Sequence, residues 1–130
     1  MVSSLSAILL NEAYYNLLRQ GQLIIEGIPV LKPECIIPFK AKAWLDLSER
    51  KNNGEGIDSK NIRKHKNDVF RLTDLITSET KLILEDEIYN DMEKFLMAME
   101  NEQIDLKSLG IKGVSKEDRI NILYECYGII

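Results

Sequence analysis

The chain has 130 residues, 45% of them hydrophobic and 29% charged, with a formal net charge of -4. This is the balance of one soluble globular unit, long enough to bury roughly two thirds of its unfolded surface. It argues against a membrane span, since no stretch nears the roughly 20 apolar residues required; against a signal peptide, since Met1 to Leu5 has no basic start and the apolar run Ala7 to Leu10 is too short; and against a structural zinc site, since two Cys and one His cannot supply four ligands without carboxylates.

Residues Ser3 to Leu10 are compatible with a short strand. Asn11 is a good N-cap for a helix through Tyr14, Leu17 and Leu18 that Gly21 would end. Gln22 to Leu31 is strand-like, but Gly27 and Pro29 argue for a bulge, an edge strand or a small hairpin. Pro33 and Glu34 suit the first turn of a helix reaching Arg50, and Pro38 predicts a kink or a late start. Lys51 to Asp58 carries two glycines and reads as a flexible loop. A helix over Ser59 to Ile76 follows, then a break at Thr77 to Glu79 and an extended Lys81 to Leu84. Glu85 to Met99 is an amphipathic helix with the stripe Ile88, Met92, Phe95, Leu96 and Met99. Ser115 and Asp118 form a capping-box pattern opening a last helix through Ile120, Leu123, Tyr124 and Tyr127.

The expected fold is α+β: two or three short N-terminal strands, then about four helices. It forms one domain or domain fragment over 1–130, divided into a strand-helix-strand part (1–32) and a helical part (33–130) around the flexible loop 51–58. Two strands alone make a marginal sheet, so either the helices cover it or its other strands come from elsewhere. The composition implies a cytoplasmic protein in which Cys35 and Cys126 are reduced, half-buried thiols.

Charge is unevenly spread. Between Lys60 and Arg71 stand five basic residues and one acid, Asp68; between Glu79 and Asp105 stand nine acids and two lysines. Such patches bind a phosphate-bearing ligand or complement each other as solvated faces. Two titratable residues interrupt apolar stripes. Lys40 lies between Ile36 and Trp44, where it either snorkels along Trp44 or aims a cation into a cleft. His65, the only histidine, reads as a core-edge imidazole bonded to backbone. On spacing, Lys42 pairs with Asp46, and Asp68 with Lys64 and Arg71. Glycine-rich phosphate loops, nucleophile elbows, zinc-protease motifs and paired metal-binding carboxylates are absent from the sequence.

Two segments resemble motifs of a known family. Val30-Leu31-Lys32-Pro33-Glu34-Cys35-Ile36-Ile37-Pro38-Phe39-Lys40-Ala41-Lys42-Ala43 is similar to the third motif of the AbiEii-type nucleotidyltransferases, toxins of abortive-infection and toxin–antitoxin systems. In that motif a Pro-Glu opens a helix bearing an essential Lys with Ala three positions on. Lys64-His65-Lys66-Asn67-Asp68-Val69-Phe70-Arg71-Leu72 resembles the fourth motif, with Asp68 at its first acid and Arg71 where a second acid is expected. The resemblance spans Ser3 to Phe95 and implies the C-terminal part of a nucleotidyltransferase fold.

The family's Gly-Gly or Gly-Ser turn and strand acids, which bind nucleoside triphosphate and Mg²⁺, do not occur in the sequence and would precede Met1. In an intact member the implied reaction is NMP transfer to RNA or protein. Lys40 holds phosphate, Asp68 acts as base or orients Lys40, and Lys64 and Arg71 add phosphate contacts. The implied partners are nucleotide or RNA and a protein such as an antitoxin. This chain alone is expected to hold no metal and to be inactive. The competing class is a non-catalytic helical interaction module, docking through its sheet edge or its methionine-bearing helix.

Overall fold

The computed structural model describes residues 4–130. Its elements are α1 (Ser4–Leu9), α2 (Glu12–Gly21), β1 (Gln22–Ile25), β2 (Ile28–Leu31), α3 (Pro33–Asn52), α4 (Ser59–Thr73), α5 (Asp86–Met99) and α6 (Lys116–Cys126). The fold is α+β, with six helices and a two-stranded antiparallel sheet among the described residues. No helix described is long and apolar enough to cross a membrane.

The first expected strand is instead a helix over Ser4–Leu9; Ser3 lies outside the described residues. With no ladder partner, this segment satisfies its backbone groups internally, and Ile8 is buried in the core. Asn11 then caps α2, its side-chain oxygen accepting from the Ala13 and Tyr14 N–H groups. Gly21 is needed for a reason other than a left-handed stop. A Cβ there would stand 2.6 Å from Cys35 Cβ and 2.8 Å from Leu31 Cδ1, so only glycine lets the chain pass so close to α3 as it turns into β1.

Helix α3 occupies the centre and packs on α1, α2, α4 and α5. Cys35, Ile37, Pro38, Phe39, Ala41 and Ala43 are all buried, so apolar residues cover most of its circumference rather than one stripe. The expected late start at Pro38 does not occur; the helix runs from Pro33 with Pro38 inside it. Pro38 has no N–H to give the carbonyl of Glu34, one turn back. The buried Tyr127 hydroxyl donates to that carbonyl instead, at 2.8 Å, and so ties the C-terminal segment to the first turn of α3.

The aromatic pairs Tyr14–Phe39 and Trp44–Phe95 pack edge-on, each with centroids 5.6 Å apart. The α5 stripe from Ile88 to Met99 is buried as the spacing predicts. The capping box forms, Ser115 and Asp118 each bonding the other's backbone N–H. Lys81 to Leu84 makes no strand; the Leu82 N–H donates to the Cys126 carbonyl at the end of α6. Residues 51 and 52, expected in the loop, still belong to α3, and Arg50 reaches forward to Glu55 at 3.1 Å. Cys35 and Cys126 are free and buried, more so than expected; burial pushes the Cys126 thiol up to about 11.

Removing the Tyr127 hydroxyl leaves the carbonyl of half-buried Glu34 without its partner. Tyr127→Phe is therefore expected to lower unfolding stability by about 1–3 kcal/mol in a urea titration. In a Pro38→Ala background, where the helix supplies its own donor, the loss should be smaller. Equal losses in both backgrounds would contradict the assigned bond.

Candidate functional site

Between Glu34 and Trp44 the only polar side chains on α3 are Lys40 and Lys42. Because the helix is buried on several sides, each ammonium must reach a rim where a carboxylate waits. Lys42 does so towards α5, 3.3 Å from Asp91 and 3.6 Å from Asp46. Burial works against this ammonium, but Asp91 and Asp46 outweigh it and its pKa is raised. Asp91 also accepts the hydroxyl of the fully buried Tyr14 at 2.7 Å. Burial, and then that bond to a carboxylate, push the Tyr14 hydroxyl well up from its ordinary value. This network joins α2, α3 and α5 and is structural.

Lys40 points the other way, towards α4. Its Nζ lies 3.0 Å from Asp68 Oδ2, with side chains 30% and 19% exposed. The second Asp68 oxygen takes Arg71 Nη1 at 3.2 Å. One carboxylate between two cations leaves a local surplus of positive charge at the surface. Beside it lies a cavity of about 310 Å³ walled by Ile36, Phe39, Ala43 and Leu31, with Lys40 and His65 as its polar lining.

The sequence-based site residues thus divide. Lys40, Asp68 and Arg71 come together, across two helices. Lys64, one turn before Asp68, is exposed and does not touch the carboxylate; Lys40 takes the place expected of it. Lys66 leaves the basic patch altogether. It is buried, with its Nζ 3.1 Å from both Glu102 Oε1 and the Gln103 carbonyl, where it fastens α4 to the loop after α5. Arg119 of α6 does similar work from a position that local spacing does not flag, donating to the Thr73 carbonyl at 3.1 Å.

His65 departs from expectation as well. Its Nδ1 is buried without a hydrogen-bond partner rather than bonded to backbone. Burial, reinforced by the Lys40 and Lys64 cations and opposed by Asp68, lowers its pKa below the ordinary 6.5. The imidazole is neutral at pH 7 and adds no charge to the cluster. Among the described residues no group of three or more His, Cys, Asp or Glu is placed to hold a metal ion.

Comparison with protein-family models, curated proteins and solved structures gave no match.

As the only histidine, His65 has a ring resonance that can be followed by NMR without assignment ambiguity. Its folded pKa is depressed, so the unfolded chain takes up the proton first as pH falls. Stability is full above 6.5 and declines as pH falls from there through the folded value. The expected titration midpoint lies below 6.5, and His65→Gln should flatten the stability profile between pH 7 and 5.5. A midpoint at or above 6.5 would contradict this environment.

Proposed function

We propose that this chain supplies the C-terminal, phosphate-holding portion of a nucleotidyltransferase-like site. The observation that carries the reading is the 3.0 Å pair between Lys40 and Asp68. These residues sit at the matching positions of the two motif-like segments, far apart in sequence, and α3 and α4 bring them to one surface point.

Lys40 is the phosphate ligand, a compact cation on a stem fixed by the helix beneath it. Asp68 is the residue that orients it. Both Asp68 oxygens are engaged by cations, which favours that role over general base. Arg71 offsets the carboxylate charge, so an incoming phosphate meets a net positive rim, and Lys64 extends it along the exposed side of α4. With Asp68 committed to Lys40 and Arg71, these residues do not fit a Mg²⁺ site, and no step of NMP transfer is routed through a metal here. This chain contributes binding and orientation; nucleotide or RNA is the ligand class.

A second reading, an interaction module without catalysis, draws support from the hairpin, whose aliphatic residues lie in solvent.

Trp44 stands one helical turn from Lys40 and is the only tryptophan, so its fluorescence reports on this site. Titration with a nucleoside triphosphate should give saturable quenching without turnover. Lys40→Met should weaken binding roughly 10- to 100-fold, the range of one charge-assisted contact, with the circular dichroism unchanged. Absence of binding by the wild-type chain, or equal affinity of the variant, would defeat the phosphate-site reading.

A further inference from the structure

The β1–β2 hairpin is the element whose apolar side chains, Leu31 apart, stay out of the core. Leu23, Ile24, Ile25, Ile28 and Val30 are 41% to 70% exposed. Its register settles which backbone groups are already used. Glu26 and Gly27 have φ of 52° and 78°, a type I′ turn closing on the Ile25–Ile28 pair. Antiparallel pairs alternate between exchanging hydrogen bonds and not doing so. The bonded pairs are therefore Ile25–Ile28, Leu23–Val30 and Gly21–Lys32, the last with a bond from Lys32 N–H to the Gly21 carbonyl at 3.1 Å.

The alternate residues aim their backbone groups outward. On β2 one of these is Pro29, which has no N–H, so that edge cannot continue a ladder. On β1 they are Gln22 and Ile24, each with a donor and an acceptor free. The hairpin therefore has a single usable edge. It lacks the charge, proline or bulge that natural edge strands carry against pairing.

We propose that the outer edge of β1 is a dimerisation edge, and that its partner is β1 of a second copy of this chain. Antiparallel self-pairing with Leu23 on the two-fold axis sets Gln22 of each copy opposite Ile24 of the other. Both are outward-facing residues, so each pair exchanges N–H···O bonds in both directions. No like charges meet along the strand. At its ends, Glu26 of each tip comes alongside the Arg19–Gln20 end of the other copy's α2, acid beside base. The two-stranded sheet becomes four-stranded, which removes its marginality. Because Pro29 blunts the opposite edge, assembly closes at two copies rather than growing into a fibre. The inference is independent of the phosphate-site reading.

Sedimentation equilibrium on the full chain at high micromolar concentration tests it. The wild type is expected at twice 14.9 kDa. Ile24→Pro removes only an outward N–H and should give the monomer mass with the wild-type far-UV circular dichroism, melting at the temperature to which the wild type falls on dilution below its dimer range. Leu23→Lys and Leu23→Glu should each be monomeric alone, because they set like charges together on the axis, and should form a dimer when mixed. A monomeric wild type, an Ile24→Pro protein that still dimerises, or a mixture that stays monomeric would overturn the proposal.

Discussion

A helix buried on several sides cannot leave an ammonium in its middle, and that constraint on α3 shapes the rest of the molecule. Lys40 and Lys42 are two positions apart and leave the helix in different directions, each ending on a carboxylate of a neighbouring helix. These pairs bridge α3 to α4 and to α5. The apolar surface between them is filled by Phe39, Trp44, Val69, Phe70 and Phe95. Hydrophobic burial supplies most of the stability, and the two ion pairs satisfy the ammonium groups at the rims of that burial.

The same helix explains the role of the C-terminal segment. Pro38 gives α3 a rigid, apolar entry at the cost of one hydrogen bond, and Tyr127 makes good that loss from far along the chain. The chain thereby closes on itself, with the first turn of α3 and the end of α6 sharing a bond beside Cys35 and Cys126. Lys66 and Arg119 act in the same way on the opposite side of α4, each ending on backbone carbonyls. Polar residues here mostly satisfy backbone groups at element ends, while Lys40, Asp68 and Arg71 put their charge at the surface.

What the sequence disclosed follows from the range of each interaction. The caps at Asn11 and Ser115, the α5 stripe, the Lys42–Asp46 and Asp68–Arg71 pairs and the hairpin between Gln22 and Leu31 all depend on residues a few positions apart. Each is present in the structure. Lys40 and Asp68 were legible as candidates, but their contact was not, because helix packing decides it. The Tyr127 bond to Glu34, the burial of Lys66 and the unpartnered Nδ1 of His65 had no local signal at all. Residues 4–9 form a helix where a strand is expected, because short apolar runs suit both equally and the absence of a ladder partner decides between them. At Gly21 it is close approach to Cys35, rather than a left-handed dihedral, that requires glycine.

In the proposed reading Lys40 serves a ligand and Asp68 serves Lys40. A structural pair and a binding pair differ in what survives a charge swap. Lys40→Asp alone should destabilise the chain by bringing two carboxylates together, and adding Asp68→Lys should restore the melting temperature. This swapped double variant, although refolded to wild-type stability, is expected to bind a nucleoside triphosphate at least about tenfold more weakly than the wild type, because the cation now sits on the wrong helix. Recovery of full nucleotide affinity together with stability would contradict it.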